Sequence, residues 1–383
     1  MPQRWEERIF LRQRLLAGVS VLMLAMRRTG KTWLCLRIEE DAEKAGFRVA
    51  FCNLEGCDDE KAAFAELCNA VEPKLTLKGL AKDRIGTMFR RIVGGKVDVQ
   101  NFKDVFLRTD WRESVRALLS TLDKDDKPWV IILDELPLFV MKLLKLDRAR
   151  AANFLSQLRA YRQEFKNVRW LLTGSVGLDV ITRRERLGGT INDLERFDLQ
   201  PLSAEAGRRL LENLNAEGKL PTPFAIGAAE FDHLVQRLMW LSPYYLIKLA
   251  GVIRPTGIGE PKRASSDDID RAFDALLNHA NRGYFTAWAE HIDNNFDGPD
   301  RDRYRILLSR LSRSADGEKF DTLLALIARG QLPPKRSQLA EALDMLISDG
   351  YLEHVEDRYR FRSGLVRDWW RRWEADDDAE PAA

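Results

Sequence analysis

Eight residues constrain this chain more than any others: Ala25-Met26-Arg27-Arg28-Thr29-Gly30-Lys31-Thr32. An apolar run, residues 19–24, precedes them with the length and composition of a buried strand. After them Leu34, Ile38, Ala42 and Ala45 recur at helical spacing, and Gly46 stands where a helix commonly stops. Strand, short loop, Gly-Lys-Thr and helix together predict a phosphate-binding loop. Such a loop aims successive backbone N–H groups and a helix N-terminus at the anion. Gly30 permits close approach of the backbone, Lys31 carries a mobile charge to the outer phosphates, and the Thr32 hydroxyl suits Mg2+. Arg28, Thr29 and Trp33 flank them and complete the expected phosphate-binding set. The first glycine of the usual pattern is Ala25 here.

A second chemical feature answers the first. Residues 129–133, Trp-Val-Ile-Ile-Leu, form the unbroken apolar run expected of a parallel strand buried on both faces, and Asp134-Glu135 ends it. Open α/β sheets bind ligands at the carboxyl ends of their strands. An acidic pair at that edge suits Mg·ATP chemistry: Asp134 for the Mg2+ shell, Glu135 to orient or deprotonate an attacking water. Residues 168–172 make another strand, ending in Thr173-Gly174-Ser175. Either small hydroxyl there is placed to touch a phosphate or the water, and a plain glycine turn stays open beside that reading. Residues 48–54 and 197–199 are further strands, with Arg196 ahead of the last and a phosphate within its expected reach. The leading helix is expected to present Trp5, Ile9 and Leu16 on one face, and Val97 and Val99 suggest a hairpin.

The 383 residues exceed one ordinary core, so more than one domain is expected. A net charge of +2 excludes a general basic field for nucleic acid, leaving only local patches. No apolar run is long enough to span a membrane, and Glu6 and Glu7 fall where an export signal is apolar, so a cytoplasmic protein is expected. The four cysteines, Cys35, Cys52, Cys57 and Cys68, match no zinc spacing and read as reduced core thiols.

From residue 201 the pattern is helical. Pro201-Leu202-Ser203 caps one helix, Ser242-Pro243-Tyr244 starts another, and Asp267 or Asp268 caps a third. A polar stretch at residues 293–302 marks a boundary. Beyond it, three helices, a hairpin and a last helix carrying Trp369, Trp370 and Trp373 follow the order of a winged helix-turn-helix. The presumed recognition helix is expected to expose Glu341, Asp344 and Asp349, against DNA phosphates, while Arg358, Arg360, Arg362, Arg367, Arg371 and Arg372 cluster in and after the wing. Double-stranded DNA through residues 335–372 and a protein-facing or intramolecular role both stay open.

Taken together these motifs resemble the archaeal-type ATPases of the AAA+/STAND group. Residues 27–32 look like that family's phosphate loop, residues 133–135 its Mg2+ strand, residues 173–178 its sensor strand, residues 201–203 its passage into a helical lid, and residues 359–370 the end of its winged helix. The resemblance implies an α/β AAA+ core over residues 1–202 with the sensor strand between the loop strand and the Asp-Glu strand. It further implies a helical lid over 203–294, a winged helix over 295–375 and a disordered acidic tail. It assigns Lys31 and Thr32 to phosphate and Mg2+, Asp134 to Mg2+, Glu135 to water activation and Ser175 or Thr173 to sensing. Pro243 falls near the adenine in that pattern, with Tyr244 where the family has a lid arginine. The function so implied is an ATP-binding, slowly hydrolysing switch that positions the winged helix for DNA, a protein partner or self-association. Its rival is a DNA-binding regulator or scaffold holding ATP or ADP without turnover.

Overall fold

A computed structural model describes residues 4–75 and 111–375, apart from 176, 297 and 329–334. The hairpin expected at Val97 and Val99 and the acidic tail lie outside those residues. The chain divides into two compact units: Arg4–Ala25 with Lys31–Leu199, and Met26–Gly30 with the chain from Gln200 onward.

In the first unit, α1 (Trp5–Leu16), β1 (Val21–Ala25), α2 (Lys31–Lys44), β2 (Arg48–Asn53), α3 (Glu60–Leu75), α4 (Trp111–Asp123), β3 (Trp129–Asp134), α5 (Leu136–Leu146), α6 (Arg148–Glu164), β4 (Val168–Gly174), α7 (Leu178–Arg184) and β5 (Glu195–Leu199) follow in order. The five strands pair in parallel in the spatial order β2-β3-β4-β1-β5. The sensor strand β4 thus lies between the loop strand β1 and the Asp-Glu strand β3, as the resemblance implied. β3 is buried along its whole length, which explains why it is apolar at both alternating sets of positions. Val21, Met23, Val49, Val130, Ile132, Leu171 and Leu199 of the sheet form a core with Leu11 and Leu15 of α1 and Leu34, Cys35, Ile38 and Ala42 of α2. The face of α1 differs from expectation: Trp5 is 60% exposed, and the i, i+4 pair Leu11 and Leu15 is buried instead. The Arg8 guanidinium sits 5.7 Å from the Trp5 ring centroid.

The second unit holds α8 (Ala204–Ala216), β6 (Ala225–Ile226), α9 (Ala228–Leu238), α10 (Pro243–Val252), β7 (Arg263–Ala264), α11 (Ser266–Leu276), α12 (Thr286–Asn295), α13 (Gly298–Ser312), β8 (Glu318–Lys319), α14 (Phe320–Ile327), α15 (Arg336–Ser348), β9 (Leu352–Val355), β10 (Arg358–Phe361) and α16 (Gly364–Trp373). The expected all-helical stretch is interrupted by the short parallel pair β6–β7. Ser265, not Asp267 or Asp268, caps α11: its hydroxyl accepts from the Asp268 N–H while the Asp268 carboxylate accepts from the Ser265 N–H, a reciprocal capping box. The expected boundary at residues 293–302 is filled by the end of α12 and the start of α13. β10 pairs antiparallel with both β8 and β9, giving a small sheet beyond the expected hairpin. Trp369 and Trp370 of α16 are fully buried, against Phe285 and Tyr351. Among the described residues no helix is long and apolar enough to cross a membrane.

Candidate functional site

The parallel sheet brings the carboxyl ends of β1, β3 and β4 side by side, and the charged residues gather there. Lys31, the first residue of α2, places Nζ 3.0 Å from Asp134 Oδ1 and donates a hydrogen bond to Glu135 Oε1. The next residue, Thr32, donates its hydroxyl to Asp134 Oδ2 at 3.2 Å. Asp134 also accepts from the Glu135 N–H at 2.9 Å. Glu135 Oε2 accepts from both the Ser175 N–H, at 3.0 Å, and the Ser175 hydroxyl, at 2.9 Å. Lys31 and Asp134 are both buried, so their charges interact with little screening by water.

Glu135 is held in an unusual backbone conformation, φ 56° and ψ 30°, as the N-cap residue of α5. The left-handed region costs a non-glycine residue about 1–2 kcal/mol. Its side chain does not cap the helix; it reaches Lys31 and Ser175 instead. Burial works to raise the Glu135 carboxyl, but the Lys31 ammonium and the hydrogen bonds from Lys31 and Ser175 outweigh it and hold the group below its ordinary value. Gly174 makes this closeness possible: a Cβ there would stand 2.2 Å from Pro137 Cδ. The end of β4 therefore lies against the first turn of α5, with Ser175 in reach of Glu135. Thr173 is fully buried, and its hydroxyl has no hydrogen-bond partner among the described residues. A turn further into α2, Cys35 is fully buried, and burial first, then the Asp134 charge, pushes its thiol up. It stays protonated and inert.

Met26–Gly30 groups with the second unit, and its contacts there shape the loop. Arg28 (φ 66°) and Gly30 (φ 89°) both adopt the left-handed conformation. The Thr29 hydroxyl donates to the Met26 carbonyl at 2.7 Å. The Ser242 hydroxyl, free of capping duty at the start of α10, donates to the Arg28 carbonyl at 2.6 Å. The Arg28 guanidinium lies 4.2 Å from the Tyr244 ring centroid. Pro243 lies against the loop: a Cβ on Gly30 would be 3.8 Å from Pro243 Cγ. In place of a lid arginine, then, the aromatic ring is on α10 and the arginine on the loop.

Arg196 and Trp33, also predicted at the site, are engaged elsewhere. Arg196 lies inside β5 rather than ahead of it, and pairs with Asp179 at 3.0 Å and Asp198 at 3.3 Å. Trp33 packs against the sheet core, with the Arg37 guanidinium 5.4 Å from its ring centroid. The acidic face expected on α15 is present at Glu341 and Asp344, but Asp349, just past its end, is fully buried and hydrogen-bonded to His291. The arginines that cluster in residues 358–372 are engaged within their own unit. Arg358 donates to the Gly317 carbonyl and Arg362 to the Leu352 carbonyl. Arg360 pairs with Glu353, Arg367 and Arg371 pair with Asp368, and Arg372 lies over Trp373. Ser242, His291 and Asp349 carried no local signal; their partners are tens to hundreds of residues away in sequence.

The structure is thus an α/β fold around a five-stranded parallel sheet with the Gly-Lys-Thr loop after β1. Two solved structures share it over nearly the whole chain. The Walker-type ATPase PABY2304 of Pyrococcus abyssi superposes with a TM-score of 0.65 at 16% identity, over 97% of this chain and 96% of that one. The ORC2 protein of Aeropyrum pernix, solved as ADPNP-ADP complexes, superposes with a TM-score of 0.57 at 15% identity, over 97% of this chain and 93% of that one. At these identities the likeness is one of fold. No protein-family model matches the sequence, and no curated protein does.

Proposed function

We propose that this chain binds MgATP and hydrolyses it slowly, as a switch whose nucleotide state positions the winged helix-turn-helix. The observation that carries the reading is the convergence of Lys31, Thr32, Asp134, Glu135 and Ser175 at one edge of a parallel sheet. Lys31 and the backbone N–H groups of the loop hold the phosphates, with Arg28 and Thr29 shaping that loop. Thr32 and Asp134 would hold Mg2+, since a hydroxyl and a carboxylate are donors that suit a hard cation. Mg2+ there would offset the charge of the phosphates. The buried Thr173 hydroxyl, without a hydrogen-bond partner among the described residues, would be the nearest sensor group beneath a phosphate.

Glu135 takes a proton from the attacking water, and its pairing with Lys31 makes that role conditional. Phosphates compete with the two carboxylates for the one ammonium. As Lys31 turns to a phosphate, Glu135 loses its nearest positive charge and becomes a stronger base, still oriented by Ser175. The shared fold also supports the reading, since one neighbour is a Walker-type ATPase and the other was solved with ADPNP and ADP. For the winged helix, the self-paired arginines and the exposed Glu341 and Asp344 favour a protein partner over DNA.

Titration of the full chain with MgATP tests the site. Removing a charge-assisted hydrogen bond costs about 1.5–3 kcal/mol, so Lys31→Ala is expected to weaken binding roughly ten- to a hundredfold. Unchanged affinity would overturn the proposal.

A further inference from the structure

A set of polar and charged groups lies outside that chemistry: the half-buried Arg27 and Asn295 and the buried His291 and Asp349. Arg27 Nη2 lies 2.6 Å from His291 Nδ1, and His291 Nε2 lies 3.0 Å from Asp349 Oδ2. A guanidinium has no acceptor, so Nδ1 must accept. The ring proton is then on Nε2, where it is donated to Asp349. Asn295 Nδ2 donates to the His291 carbonyl at 2.9 Å and also lies 2.8 Å from Nδ1, whose one lone pair Arg27 takes at the shorter distance. The imidazole is therefore neutral, and it links a carboxylate on one side to a guanidinium on the other. The side chains of His291 and Asp349 are both 0% exposed. Asp349 Oδ1 has no hydrogen-bond partner among the described residues, and neither has Arg27 Nε. A buried carboxylate so sparsely bonded depends on a nearby positive charge, and Arg27 supplies one across the ring.

Arg27 belongs to the phosphate loop, and the loop is held on either side of it from the same unit. Gly350 (φ 87°) follows Asp349, and a Cβ there would stand 2.9 Å from Met26 Cβ, so the loop's first residue seats directly on the end of α15. Arg28 is held by Ser242 and Gly30 abuts Pro243. Residues 26, 27, 28 and 30 are each tied to the helical unit, and they include both left-handed positions that give the loop its curvature.

We infer that Arg27, His291 and Asp349 are positioning residues: the His291–Asp349 pair anchors Arg27 and so keeps the loop in its phosphate-cradling curvature. The inference rests on the nucleotide reading above and names the residues through which nucleotide and winged helix affect each other. Linkage makes the effect mutual: anchoring raises nucleotide affinity, and nucleotide in turn steadies α12 and the end of α15.

A double-mutant cycle on the full chain tests this, with MgATP affinity measured calorimetrically for wild type, Arg27→Gln, Asp349→Asn and the double variant. Asp349→Asn keeps the side chain's shape and removes its charge. Each single variant is expected to bind MgATP about fivefold to tenfold more weakly, and the double variant no more weakly than either. A purely structural role for Asp349 gives additive losses instead, which would overturn the inference, as would unchanged affinity in either single variant. Amide hydrogen exchange supplies a readout should Asp349→Asn fail to fold. MgATP is expected to slow exchange in α12 and at the end of α15 in wild type and not in Arg27→Gln, and equal protection in both would overturn the inference. Absence of MgATP binding by the wild type is a separate outcome that overturns the nucleotide reading itself and the inference with it.

Discussion

In the proposed chemistry the deciding residue is Glu135. It combines a left-handed backbone with a buried carboxylate bonded to Lys31 and Ser175. Strain of this kind persists where the surroundings over-determine it, and it concentrates at functional sites. Its depressed carboxyl makes a pH prediction. A group titrating lower in the fold than in the unfolded chain stabilises the fold above its unfolded value, near 4.3 for glutamate, and that stability is lost as pH falls through the folded value. Wild type is therefore expected to melt above Glu135→Gln at neutral pH, with the gap closing as pH drops below about 4. A gap independent of pH would contradict the pairing with Lys31. Lys31, Thr32, Asp134 and Glu135 were legible in the sequence because each is fixed by its own strand end or loop. Asp349 was misread because helix periodicity describes exposure only until a distant partner covers the position, and His291 covers it.

At the level of elements, the closeness of β4 to α5 depends on Gly174, whose missing Cβ makes room for Pro137. Gly174→Ala is expected to destabilise the chain by about 1–3 kcal/mol in denaturant unfolding and to reduce turnover by moving Ser175 off Glu135. Wild-type stability and turnover in that variant would contradict the packing. The central strands could be read in advance, because β1, β3 and β4 are buried in the parallel sheet and carry apolar runs. Elements without such a pattern were missed. Two-residue strands such as β6 and β7 carry no periodicity, and α5, Leu-Pro-Leu-Phe-Val-Met in its first turns, is too apolar to show a face. The register of α1 was misjudged for a related reason: Trp5 is large and apolar, but Leu11 and Leu15 reach the sheet and Trp5 does not.

At the scale of the molecule, the order of elements and the sheet topology make an ATPase fold, and the loop between β1 and α2 belongs by its contacts to the helical unit. In the proposed function this loop is what would tie nucleotide to the helical unit, as a switch requires. The arginines of the wing looked, in sequence, like a basic surface. The partners of Arg358, Arg360 and Arg362 became visible only once the strands were folded together. The most direct measurement is ATP hydrolysis by purified wild type and Glu135→Gln, each with and without double-stranded DNA. A positioned general base contributes roughly 100- to 10,000-fold. The account predicts slow wild-type turnover, lost by at least about a hundredfold in the variant while MgATP binding is retained, with no stimulation by DNA. Tight MgATP binding with no turnover in the wild type would contradict it and leave nucleotide as a structural ligand.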